Sequence, residues 1–213
     1  MIIDAITSRY EKSLQMLSNL DGIAPLLLRL YLAPIFIQAG WNKLANFDST
    51  VQWFGNAQWG LGLPFPELLA ALAAGSEFIG GWLLLLGLFT RLTAIPLMIT
   101  MLVAAFGVHG KNGWLALADS SSWLADGTIF FNESIMAAAE KKEAAVAILQ
   151  QHGNYDWLSS SGSFTILNNG MEFSITYFIM LLVLFFYGAG RFTSVDHYLA
   201  KRFYTNEKIT NKS

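Results

Sequence analysis

Four apolar stretches, at about residues 23–44, 66–88, 92–108 and 171–188, constrain the fold of this chain more than any other feature. At ~1.5 Å per helical residue each crosses, or nearly crosses, the roughly 30 Å of a bilayer's hydrocarbon, and the last two are short but usable. The expected fold class is therefore all-α: an integral membrane four-helix bundle forming one domain over 1–213. Composition agrees, because 54% of the residues are hydrophobic and 13% charged, outside the balance of a soluble domain. A net charge of −2 gives no sign of a nucleic-acid partner. The absence of cysteine excludes disulfides, thiolate metal sites and a dithiol redox mechanism carried by this chain alone.

Ahead of the first span, residues 1–20 carry Ile3, Ile6, Tyr10, Leu14 and Leu17 at helical spacing with charges between, which predicts an interfacial N-terminal helix. Neither the basic start nor the small-residue ending of a cleaved leader is present. Arg9, Lys12, Arg91, Arg191, Lys201 and Arg202 fall on one side of the bundle and Lys111, Lys141 and Lys142 on the other, diluted by acids. The positive-inside rule then places both termini in the cytoplasm. Trp41, Trp53, Trp59 and Trp114 gather at the opposite, outer interface, as amphipathic indoles do. A long outer insertion, 109–170, joins the third and fourth spans. Its alanine-rich middle runs from Asn132, a plausible N-cap, to Gly153, a plausible stop, and predicts a helix. A connection of that length is either functional or a surface excursion lying on the membrane.

Charges inside the spans are the candidate functional residues. Counted from the cytoplasmic ends, Arg29 lies roughly 9 Å up the first span and Glu77 roughly 16 Å up the antiparallel second. An arginine stem bridges such a gap, so Arg29 and Glu77 form the first candidate pair, with Glu77 facing the interior as a proton relay. The competing reading makes Glu77 a neutral packing residue. Pro34 interrupts the first span and Gln38 lies a turn above it, so a small polar cavity at this depth is conceivable on sequence grounds. The same count brings Lys43 and Glu67 together near the outer boundary, with His109 and Glu172 at the outer ends of the other spans. Plain boundary anchoring competes with a binding role there. Small residues at Ala70, Ala74, Ser76 and Gly80 predict close helix approach.

The stretches LLLRLYLAPIFIQAGWNKL, SEFIGGWLLLLGLFTRLTAIPL and FYGAGRFTSVDHYL resemble the successive signatures of the DoxX family of small bacterial membrane proteins. Arg29, Gly40, Lys43, Glu77, Gly80, Gly81, Gly87, Thr90, Arg91, Gly188, Gly190, Ser194 and Asp196 carry the likeness, and the long outer insertion departs from a minimal member. The resemblance implies a multi-pass protein of the bacterial inner membrane with a redox association. It is similar to a membrane subunit of a thiosulfate:quinone oxidoreductase and, in the HvfX-like branch, to proteins of copper-peptide maturation clusters.

Quinone is thus the implied cofactor. Its chemistry asks for an apolar slot, a donor for each carbonyl and a group that moves protons. Glu77 and Arg29 are the catalytic candidates, and Lys43, Gln38, Glu67 and His109 the binding candidates. His109, His152 and His197 lie outside the spans, which disfavours haem, and no compact set of metal ligands is visible, so no metal site is expected. Electrons would arrive from a redox protein partner; the bilayer and a second copy of the chain are the other candidate partners. The alternative function is a non-catalytic membrane scaffold that docks a partner through the outer insertion.

Overall fold

The computed structural model describes residues 7, 9–11, 14, 18, 20–125 and 132–210, with backbone alone for 134 and 204–210. The interfacial helix expected over 1–20 lies largely outside the described residues. The chain divides into two compact units, one of residues 1–100 with 178–213 and the other of residues 101–177.

The first unit begins with α1 (Ile23–Ala45), a short α2 (Phe47–Gly55) and α3 (Pro66–Leu86). It takes in the opening turns of α4 (Thr90–Leu102) and the closing turns of α8 (Glu172–Tyr187), and ends with α9 (Val195–Thr210). Pro66 starts α3 at a position where its missing N–H costs nothing, and Gly87 stops it at φ 65°, the left-handed conformation that glycine adopts freely. Leu32, Ala33 and Phe36 of α1, Ala70, Ala74 and Leu84 of α3, Ala94 and Leu97 of α4, and Leu181 and Leu184 of α8 are buried together as its core. Large apolar side chains such as Leu27, Leu72, Ile79, Leu92, Ile99 and Phe186 point outward instead. Arg29 and Glu77 are buried. A shell that is apolar outside and charged inside is what hydrocarbon as solvent selects, because only interior partners make a charge tolerable there.

Three helices, Ile23–Ala45, Pro66–Leu86 and Thr90–Asn112, are long and apolar enough to cross a membrane, and Glu172–Tyr187 is a shorter apolar helix. Helices thus occupy all four of the expected apolar stretches, three of them at spanning length. The third runs further than expected, because α4 continues as a π-helical segment Val103–His109 and one tight turn Gly110–Asn112.

The second unit holds those continuations, α5 (Glu133–Met136), α6 (Ala138–His152), α7 (Tyr155–Ser159) and the start of α8. The expected insertion helix exists as α5 and α6, which meet at Ala137, where the N–H donates to the Glu133 carbonyl at 3.1 Å and the carbonyl accepts the Lys141 N–H at 3.2 Å. Ile135 packs into a small core with Leu115 and Ala125. Asn168 Nδ2 donates to the carbonyls of Asn112 (2.7 Å) and Leu115 (2.6 Å), and Glu172 Oε2 accepts the Ala116 N–H at 2.9 Å. Among the described residues no extended strand forms; Leu117 and Leu167 make a single antiparallel bridge.

Candidate functional site

The register between α1 and α3 builds the site. Both helices are glycine-faced where they touch: a methyl placed on Gly40 would meet the Phe78 backbone amide, and one on Gly81 would stand 2.7 Å from Ile37 Cγ1 and 2.8 Å from Ile37 N. The backbones therefore run in direct contact there, with Gly40 level with Phe78 and Ile37 level with Gly81. When the two spans are counted from a common base, Gly40 and Phe78 differ by about 10 Å in height. In the structure they touch, so α3 is displaced along α1 by about two turns from an equal-ended arrangement.

That displacement corrects the expected pairing. Glu77 rises to the level of Lys43, and Lys43 Nζ donates to Glu77 Oε2 at 2.6 Å. The Lys43 side chain is 28% exposed and that of Glu77 5%, so the acid is nearly sealed in the bundle while the lysine side chain stays partly open. The expected Arg29–Glu77 pair is not formed. Arg29, 0% exposed, instead sends Nη1 to the carbonyls of Leu84 (3.3 Å) and Leu85 (3.2 Å) and Nη2 to the carbonyl (2.9 Å) and hydroxyl (3.3 Å) of Thr193. Its Nε has no hydrogen-bond partner among the described residues. The Leu85 carbonyl lies where the helix's own N–H donors run out, and the Leu84 carbonyl also accepts the Gly87 N–H at 3.0 Å, so one Nη group reinforces the end of α3.

The Arg29 end is closed by a second device. Asp196, in the first turn of α9, accepts the N–H groups of Phe89 (2.7 Å, Oδ1) and Thr90 (2.9 Å, Oδ2), while its own N–H donates to the Gly87 carbonyl at 2.9 Å. One carboxylate thus supplies the N-terminal cap of α4 from a distant part of the chain. Ser194 Oγ, donating to the Gly190 carbonyl at 2.7 Å, folds the turn that delivers it.

Other expected site residues fall elsewhere. Gln38 and Pro34 face outward on α1, so they line no interior polar cavity. Glu67 is exposed in the first turn of α3, and the expected Lys43–Glu67 grouping gives way to Lys43–Glu77. His109 belongs to the second unit, where its Nδ1 lies 3.0 Å from the Asn169 carbonyl oxygen. On the same two helices the Trp41 and Phe78 rings meet, with centroids 6.0 Å apart in a tilted arrangement. Thr193 is the residue that sequence reasoning missed, since a threonine in a loop carries no depth signal. The paired glycines Gly40 and Gly81 were the available clue to the register. Chemically, the site offers a carboxyl group hydrogen-bonded to an amine in low dielectric.

Known proteins place this arrangement. The DoxX family pattern matches residues 24–110, which contain Arg29, Lys43 and Glu77. The chain is 33% identical over 98 residues to an uncharacterized protein of Haemophilus influenzae, covering 44% of this chain and 62% of that one. It is 33% identical over 97 residues to a Bacillus subtilis protein named "Putative oxidoreductase CatD", covering 46% and 68%. A third relative, the inner membrane protein YphA of Escherichia coli, is 36% identical over 85 residues, 39% of this chain and 58% of that protein. The match thus spans less than two thirds of the Haemophilus and Escherichia relatives. No solved structure matches the chain. On the family pattern and the Bacillus relative together, the chain belongs to the DoxX family of membrane proteins.

Proposed function

We propose that this protein is the quinone-linked membrane component of an oxidoreductase, with Lys43 and Glu77 as its proton-handling pair. The observation that supports this reading is the 2.6 Å contact between a nearly sealed carboxylate and a lysine whose side chain is partly exposed. A pair held for stability alone gains little from burial, because desolvating two charges offsets most of their attraction. Leaving one partner approachable is useful when something must reach it. The side chains fit a quinone: Lys43 Nζ is a donor for a ring carbonyl, and Trp41 and Phe78 offer aromatic faces at the same level. A bound quinone would supply a carrier of two electrons and two protons. Glu77 then holds the proton that Lys43 presents, and the surrounding bundle keeps water from dispersing it. Arg29 positions rather than reacts, since both its Nη groups are engaged by backbone carbonyls. The name of the Bacillus relative supports a redox setting. Without cysteine, the chain depends on a partner polypeptide for electrons. Multi-pass insertion in a bacterial inner membrane with both termini cytoplasmic belongs to the same proposal, supported by the lysine and arginine distribution.

The test is quinone content per mole of protein, by mass spectrometry of lipid extracts after purification in mild detergent. Enrichment over an unrelated helical membrane protein from the same host, reduced in Lys43→Met, is the expected result; equal quinone in both proteins overturns the reading. A second reading, a scaffold that docks a partner, is favoured by the self-contained core of residues 101–177. Pull-down before and after deletion of residues 120–160 tests it, and unchanged partner recovery rejects it.

A further inference from the structure

The Arg29 end of the first unit carries a groove of about 580 Å³ whose wall includes Thr90 and Arg91 of α4, Tyr187 of α8, Arg191 and His197. Two carboxylates also face it. Asp196 is engaged by the Phe89 and Thr90 N–H groups, and Asp21 meets Arg191 Nε at 3.6 Å with both side chains well exposed. Arg91 has no carboxylate partner among the described residues, so an exposed guanidinium stands in the groove with its charge unmatched. Thr90 on the inner wall is fully buried, and its hydroxyl has no hydrogen-bond partner among the described residues.

The position narrows the ligand. Thr90 opens α4, Tyr187 closes α8 and Pro25 lies in the first turn of α1, so the groove sits where three apolar helices end together. Headgroups occupy that level when the helices span a bilayer. Exposed Leu92, Phe89 and Tyr187 continue the wall as apolar surface, which suits an acyl chain rather than a soluble anion. Arginines at the ends of spanning helices are a recognised setting for anionic headgroups, and an arginine fork matches the paired oxygens of a phosphodiester.

The geometry points to a binding site for the phosphodiester headgroup of an anionic phospholipid, held by Arg91 and Arg191 with its acyl chains along Leu92 and Tyr187. This goes beyond the proposed function and does not depend on it.

Native mass spectrometry of the detergent-purified protein with dihexanoyl phosphatidylglycerol tests it, beside dihexanoyl phosphatidylcholine and inorganic phosphate. The expected result is a saturable phosphatidylglycerol adduct and a rise in Tm, neither given by phosphatidylcholine or phosphate. Arg91→Gln should cut the adduct about fivefold, with Arg91→Lys intermediate. Lys141→Gln, on α6 of the other unit, should leave it unchanged; Arg91 is exposed at a helix end, so its variants fold. Equal adducts for both lipids, an equal effect of inorganic phosphate, or full retention in Arg91→Gln each overturn the proposal.

Discussion

Lys43 and Glu77, separated by 34 positions in sequence, meet at 2.6 Å because Gly40 and Gly81 bring α1 and α3 into backbone contact. The pair is asymmetric, the lysine partly open and the glutamate nearly closed, and that asymmetry sets the expected effect of removing either partner. Lys43→Met leaves a carboxylate uncompensated in the bundle and should destabilise by about 3–5 kcal/mol. Glu77→Gln leaves an ammonium that can turn toward the surface and should cost about 1–3 kcal/mol. The double variant Lys43→Met with Glu77→Leu should recover most of the loss. Thermal unfolding in one detergent compares all three, and a larger loss in Glu77→Gln than in Lys43→Met contradicts this geometry.

The chain has no cysteine, so engineered thiol pairs report register without ambiguity. Trp41→Cys with Phe78→Cys should cross-link in membranes with a short bifunctional thiol reagent, since the native rings are 6.0 Å apart. Arg29→Cys with Glu77→Cys should not. The reverse pattern on a denaturing gel would restore the equal-ended arrangement.

Arg29 ties the end of α3 to the turn before α9 with four hydrogen bonds. Lysine keeps the charge but cannot fork between carbonyls, so Arg29→Lys should destabilise by about 2–4 kcal/mol despite its conservative appearance. Gly87→Ala attacks the same joint from the other side. Its φ of 65° strains any side chain, and its methyl would meet the Arg29 guanidinium and stand 2.6 Å from Ser194 Cβ. Both variants should lower Tm, and their effects should add poorly because they share one contact.

Asp196→Asn keeps the size of the α4 cap and removes its charge. The N–H groups of Phe89 and Thr90 then share a weaker acceptor, and a loss of about 0.5–2 kcal/mol is expected. Hydrogen exchange should speed up first at the beginning of α4; exchange confined to α9 would assign Asp196 a different role.

In the second unit, Asn168 holds two carbonyls with one amide. Asn168→Ala should leave the bundle of the first unit unchanged while exposing residues 113–125 to limited proteolysis, at a local cost of about 1–3 kcal/mol. Protection equal to wild type would show that the small core of Leu115, Ala125 and Ile135 suffices without that bond.

Much of the architecture was legible in the chain itself. The four apolar helices are visible as apolar length, and the start of the second falls at Pro66 as expected. Burial of Arg29 and Glu77 also followed, because hydrocarbon leaves a charge no other comfortable place. The partners did not follow. Depth counting assumes that helix ends lie level, and nothing local marks a sliding offset between two helices. The insertion shows the same limit on a smaller scale: its alanine-rich composition predicts a helix, but not that Ile135 packs against Leu115 and Ala125.

Sequence alone therefore determined what kind of solvent this protein needs, how many apolar helices it builds and which charges must hide among them, since these depend on residue type and run length. Tertiary structure alone decided that Glu77 answers to Lys43, that Arg29 serves backbone carbonyls, and that Asp196 caps a helix 106 positions away. Those pairings depend on where glycine lets two backbones touch. Close packing is a property of two surfaces at once, and neither helix encodes it by itself.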